Sequence, residues 1–144
     1  MRAARTGLRH SLYLLIWLPF AALAGKITVP ESIEGVTRLD AEGVIELAER
    51  LPELVIIDSR QRMDRRQGYI QGSVSLPDVE TDCDSLRAAL PGSDTPVLFY
   101  CNGVQCGRSV IAVQVAKGCG YTQLYWFRGG FEEWKQKGYP FLQM

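Results

Sequence analysis

Two unbroken apolar runs, Leu54-Val-Ile-Ile57 and Pro96-Val-Leu-Phe-Tyr100, constrain this chain's architecture more than any other feature. A strand with one wet face alternates apolar and polar residues. An unbroken run instead needs cover on both faces, the condition of a strand inside a parallel sheet packed between helices. Each run stops at a residue that carries chemistry, Asp58 after the first and Cys101 after the second.

Around the runs the pattern changes to helical steps. Asp40 is placed to cap a helix whose inward residues are Val44, Leu47, Ala48 and Leu51, ended by Pro52. Gln61 to Gln67 suits one or two helical turns, Gly68 to Gly72 a turn, and Ser73 to Leu76 a short strand stopped by Pro77. Asp82 or Asp84 caps a helix through Leu86 and Leu90, and an apolar helix begins at Arg108 or Ser109 and runs to Gly118. Gln123 to Phe127 is a further strand, Gly129-Gly130 a turn, and Phe131 to Lys137 a last helix with Trp134 inward. Strands alternating with helices predict an α/β fold, a mainly parallel central sheet flanked by helices on both faces with right-handed crossovers. Sites in such sheets lie beyond the strand carboxyl ends, where Cys101 falls.

Ahead of this domain, Met1 to His10 carries Arg2, Arg5 and Arg9 without an acid, and an apolar run from Leu12 to Ala24 follows. This is the layout of a secretory signal cleaved before Gly25, since a bilayer-spanning helix wants roughly 20 apolar residues. The chain thus divides into a signal peptide at 1–24, an extended arm at 25–37 containing Pro30, and a domain at 38–144. The expected location is periplasmic or secreted, with no stable membrane span after cleavage. Cleavage removes three of 16 basic groups and none of 16 acidic ones, leaving 13 against 16, a net charge of −3. With no basic excess, nucleic acid is not an expected partner. His10, the only histidine, leaves with the signal. A Cys-His dyad, a Ser-His-Asp triad and a histidine metal ligand are then excluded, and no metal or organic cofactor is implied.

The segment Cys101, Asn102, Gly103, Val104, Gln105, Cys106, Gly107, Arg108 and Ser109 joins a strand end to a helix start. Its amides are placed to curl inward as an anion nest backed by the positive end of the helix. Those amides, the helix terminus and the Arg108 guanidinium all favour a thiolate at Cys101, and the fork of Arg108 suits an oxyanion. A thiolate with no acid or base beside it can displace a group that leaves as a stable anion, such as sulfite from thiosulfate, and keep the sulfane sulfur as a persulfide. Amide or phosphoester cleavage usually needs a proton donor as well. The plain alternative is a small buried hydrophobe at a strand end.

Four ordered pieces between about Val36 and Phe141 resemble a single-domain rhodanese, a sulfurtransferase family: Ile57-Asp58-Ser59-Arg60, Gly68 to Pro77, Phe99 to Ser109, and Phe127 to Trp134 with Gly138-Tyr-Pro140. The resemblance implies a rhodanese-like fold. It also implies transfer of sulfane sulfur from thiosulfate or a similar small anion, through a Cys101 persulfide, to a thiol or cyanide-like acceptor. Loop donors would come from Asn102 to Gly107, and Arg108 would bind substrate. Six residues separate Cys101 from Arg108, more than is common in the family or in related dual-specificity phosphatases, so the cradle should be wider or differently folded. Tyr69 stands where the family usually has histidine and reads as structural.

Cys106 is a further departure. In an oxidising compartment it can pair with Cys101 or resolve a sulfenate, making the loop a redox switch. Asp58 and Arg60 read either as an ion pair buttressing the site or as a surface pair worth under about 1 kcal/mol. Arg128 is a candidate for added positive charge near the pocket. Cys83 and Cys119 read as structural thiols with their pairing open, and Trp126, Trp134 and Tyr139 as core or rim packing. Two rival functions use the same loop. One is a phosphatase or arsenate-reductase-like enzyme with Asp58 or Asp64 as proton donor. The other is a non-enzymatic sulfur-carrier or redox-sensing module docked on another exported protein.

Overall fold

The computed structural model describes residues 28–144; the signal reading of 1–24 and the start of the arm lie outside them. In chain order the elements are β1 (Thr37–Leu39), α1 (Ala41–Arg50), β2 (Val55–Asp58), β3 (Val74–Ser75), α2 (Cys83–Ala89), β4 (Val97–Tyr100), α3 (Arg108–Gly118), β5 (Leu124–Phe127) and α4 (Gly130–Gln136). Short 3-10 turns occupy Arg62–Gln67 and Asp78–Glu80. The strands form one five-stranded sheet in the order β1-β5-β4-β2-β3, and every pairing is parallel.

Central β4 is buried at all of its positions, which is why its sequence shows no alternation. On one face α2 and α3 pack Leu86, Leu90, Ala112, Val113 and Ala116 against Ile57, Phe99 and Trp126. On the other face α1 and α4 pack Ala41, Val44, Phe131 and Trp134 against Leu98, Tyr100 and Phe127. The expected α/β arrangement, with helices on both faces, is therefore the one observed. Asp58, Tyr100 and Phe127 are neighbours in register, so three strands end at one level. That shared rim positions everything described below.

Local differences have simple causes. β1 was not expected: Thr37-Arg-Leu39 is too short to carry a period, and it forms by pairing with β5 at the sheet edge. Ala48 is exposed rather than inward, because α1 faces the core through Ala41, Val44 and Leu47, and Ala48 lies on the next flank. The Asp40 side chain accepts from the Gly43 amide at 2.8 Å, and Glu133 of α4 accepts from the Ala41 amide at 2.9 Å, coupling the two helices of that face. Asp82, not Asp84, caps α2 through a reciprocal box with Ser85.

Cys83 and Cys119 pair with each other, Cα atoms 5.5 Å apart, joining the start of α2 to the end of α3 across 36 residues. This disulfide staples the two helices of one layer. The double variant Cys83→Ser/Cys119→Ser should lose about 2–4 kcal/mol in urea unfolding. Unchanged stability would mean that the crosslink does not constrain the chain.

Candidate active site

Asp58 ends β2 with none of its surface exposed. Arg60 donates to both of its carboxylate oxygens, from Nε at 2.8 Å and Nη2 at 2.7 Å, and Arg65 Nη1 adds a third contact at 3.1 Å. The Tyr100 hydroxyl donates a fourth at 2.7 Å. Arg60 also donates to the Gly68 carbonyl at 2.9 Å and lies over the Phe131 ring, 4.5 Å from its centroid. Asp58 and Arg60 are therefore the buttress of the two readings and not a surface pair. Burial by itself would push the Asp58 carboxyl up. The Arg60 hydrogen bonds and charge, with the Tyr100 hydroxyl, outweigh it and hold Asp58 below the usual carboxylate range. Burial, and then the Asp58 charge, push the Tyr100 phenol up, so that it stays a protonated donor. Ser73 joins this network, its hydroxyl accepting from Arg65 Nη1 at 3.0 Å and lying 3.2 Å from the Tyr100 hydroxyl; the parts of Arg65, Ser73 and Tyr100 are not legible in the sequence because their partners lie on other elements.

The loop after β4 is held from α4. The Phe131 amide donates to the Cys101 carbonyl at 2.9 Å and the Glu132 amide to the Asn102 carbonyl at 2.7 Å. In a trans peptide the N–H points opposite to the C=O. The Asn102 and Gly103 amides therefore face away from α4, and they have no acceptor among the described residues. Gly130 makes the brace possible. Its φ is +61°, and a Cβ there would lie 2.5 Å from the Cys101 carbonyl oxygen. At Gly103, by contrast, a Cβ would meet only the carboxylate end of the exposed Glu132 side chain, which can move aside.

The extra length of the loop is taken up by a turn in which the Cys106 amide donates to the Gly103 carbonyl at 2.9 Å. One amide of the expected nest is thus used internally. The turn folds Cys106 back onto Cys101, the two joined as a disulfide with Cα atoms 6.1 Å apart. Cys101 is 2% exposed, so in this oxidised form its sulfur is covered rather than open. Val104 and Gln105 are exposed, and Gly107 stands before α3.

Arg108 opens α3 and donates from Nη1 to Asp78 at 3.1 Å, leaving Nε and Nη2 without an acceptor among the described residues. Asp78, absent from the sequence reading, orients this guanidinium. Two expected site residues are turned elsewhere. Ser109 is buried and its hydroxyl accepts the Trp126 indole N–H at 3.0 Å, anchoring α3 to β5. Arg128 donates to the Pro30 carbonyl at 2.9 Å and to Glu31 at 2.8 Å, clasping the arm instead of charging the pocket. Beside the loop lies a cavity of about 450 Å³ lined by Arg60, Asp64, Gln67, Asn102, Glu132 and Lys135, among others. No group of residues suited to a metal ion occurs among the described residues.

The family described as "Rhodanese-like domain" matches residues 41–137. Uncharacterized protein YibN of Escherichia coli is 24% identical over 94% of this chain and 92% of its own. Among solved structures, BH2092 of Bacillus halodurans (18% identity, TM-score 0.65) shares the fold over 74% of this chain and 77% of its own. Thiosulfate sulfurtransferase of Pseudomonas aeruginosa (28% identity, TM-score 0.63) matches 75% of this chain and 20% of its own.

Replacing Asp58 by Asn leaves Arg60 buried without its charge partner and should cost about 3–5 kcal/mol at neutral pH. Because the folded Asp58 value is depressed, its stabilisation is complete above the unfolded value of 3.8 and is lost as pH falls through the folded one. The stability gap between wild type and Asp58→Asn in urea titrations should therefore shrink in acid; a gap independent of pH contradicts the network. Gly130→Ala should destabilise by at least about 1–2 kcal/mol from its φ alone. It should also slow alkylation or sulfur loading of Cys101 in the reduced protein, whereas unaltered Cys101 reactivity would show that the α4 brace does not shape the loop.

Proposed function

The chain belongs to the rhodanese-like domain family, whose chemistry is sulfur transfer, and on that premise we propose that it is an exported sulfurtransferase. It moves sulfane sulfur from thiosulfate or a similar small donor, through a Cys101 persulfide, to a thiol or cyanide-like acceptor. The observation that carries this reading is the pair of carbonyls fixed by α4, which turns the Asn102 and Gly103 amides away from that helix and leaves them without an acceptor among the described residues, in the loop that Cys101 begins.

With the loop reduced, the Cys101 thiolate attacks the outer sulfur of thiosulfate. A Cys101 Sγ–S bond forms, the S–S bond of the donor breaks, and sulfite leaves with the electron pair. No proton has to move, which suits a site with no imidazole. The Asn102 and Gly103 amides stabilise first the thiolate and then the persulfide anion. The two donors of Arg108 left over from Asp78 are available for the sulfonate oxygens. An acceptor can approach through the polar cavity beside Asn102. Export is supported by the arginine-bearing, apolar amino terminus and by two disulfides, which persist in oxidising compartments.

The disulfide between Cys101 and Cys106 also favours a second reading, a sulfur-carrier or redox-sensing module without rapid turnover of small donors. The phosphatase-like reading loses one of its two proton donors, because Asp58 is locked as a carboxylate under two guanidiniums, although Asp64 lines the cavity.

Intact mass measurement of reduced protein incubated with thiosulfate should show a gain of one sulfur atom that Cys101→Ser abolishes. Arg108→Ala should slow the loading by roughly tenfold or more, as loss of a charged hydrogen bond does. Asp78→Ala should raise KM for thiosulfate more than it lowers kcat. If Cys101→Ser still loaded while Cys106→Ser did not, the nucleophile would be misassigned. Steady turnover of donor by the wild type separates an enzyme from a carrier.

A further inference from the structure

We infer that Cys106 is a resolving thiol that expels the sulfane sulfur of Cys101 as hydrosulfide, giving the protein a second activity: sulfide release coupled to closure of its own disulfide. This rests on the Cys101 persulfide proposed above and adds a fate for that persulfide that needs no outside acceptor.

The geometry is specific. The turn from Gly103 to Cys106, closed by the 2.9 Å hydrogen bond from the Cys106 amide, returns the chain to the strand end it left. It brings the Cys106 Cα to 6.1 Å from that of Cys101, with the two sulfurs bonded, inside the span of roughly 4.4–6.8 Å over which a disulfide closes. Cys101 is almost wholly covered, with 2% of its surface exposed, while Cys106 is half-buried in the loop above it. An external thiol must enter this covered site, whereas Cys106 is already there, and a positioned intramolecular group outcompetes an external one at ordinary concentrations.

The step balances without a catalytic acid. The proton of the Cys106 thiol passes, directly or through solvent water, to the outer sulfur of the persulfide anion, and the Cys106 sulfur attacks Cys101 Sγ. The Cys101–Cys106 S–S bond forms as the bond from Cys101 Sγ to the outer sulfur breaks, and the outer sulfur departs with the electron pair as hydrosulfide. The Cys106 sulfur is oxidised and the departing sulfur is reduced. Hydrosulfide leaves as a stable anion, so the absence of an imidazole is no obstacle. The product is the bonded pair seen in the structure, and a further cycle requires an external dithiol reductant.

The test uses reduced, desalted protein given thiosulfate in slight excess, with sulfide measured by a chemical probe and the loop peptides mapped by mass. Wild type should release stoichiometric sulfide and finish with Cys101 joined to Cys106. Cys106→Ser and Cys106→Ala should instead retain the added sulfur on Cys101 and release sulfide only when dithiothreitol is supplied. If wild type holds the sulfur as durably as the two variants, the inference is overturned and the transfer reading stands. If neither the variants nor wild type ever acquires the sulfur, the transfer reading fails and takes the inference with it.

Discussion

The site depends on two hydrogen bonds in which the first amides of α4 hold the carbonyls of Cys101 and Asn102. A loop leaving a buried strand can turn its peptide groups either way, and fixing two carbonyls outward determines where the adjoining N–H groups aim. The same contact explains other features of the chain. Gly130 allows the backbones to approach, Phe131 carries the Arg60 guanidinium on its ring, and Glu133 ties the other end of the layer to α1. Asp58 in turn holds Arg60 from the end of β2. The Cys101 loop, α4 and the β2 rim are thus fastened one to the next by contacts whose loss leaves an unpaired group.

Charge at this rim is largely committed to structure. Arg60 and Arg65 face Asp58, Arg128 faces the arm, and Arg108 is partly taken by Asp78. In the proposed reaction, anion stabilisation at Cys101 therefore falls mainly to peptide dipoles, with Arg108 as a cation that keeps donors without an acceptor among the described residues. Main-chain donors fixed in a covered site cost no reorganisation as charge shifts from thiolate to persulfide. The site is accordingly suited to reactions in which a negative charge persists, and less to reactions that need a proton delivered.

Much of the fold could be read from the sequence because its strongest signals are collective. The apolar runs of β2 and β4 and the helical steps of α1 and α3 each involve several residues constrained by one buried face. What could not be read depended on single partners distant in the chain. Thr37-Arg-Leu39 becomes a strand only because β5 offers an edge. Cys83 and Cys119 are distinguished from the other two thiols only by the packing of α2 on α3. At the site, the position of Cys101 at a strand end followed from its run. The downward turn of Ser109 toward Trp126 and the capture of Arg108 by Asp78 required knowing which faces of α3 are covered. Ala48 shows the same limit in a helix: a step of four from Val44 is apolar in composition yet lies off the buried stripe.

The additional residues in the loop bear on chemistry as much as on shape. A tighter loop would present its amides to Cys101 and little else. Here the added length forms a turn that spends one amide internally and places a second sulfur at the first. A persulfide has two electrophilic sulfurs, and which one is attacked decides whether sulfur is handed on or set free. In the proposed chemistry a dissolved acceptor takes the outer sulfur, whereas Cys106, placed against Cys101, attacks the inner one. The partition between the two outcomes then follows from competition between a dissolved acceptor and a tethered thiol. Each passage that ends in the closed Cys101–Cys106 pair must be followed by its reduction, so the supply of reductant governs how often the loop reopens.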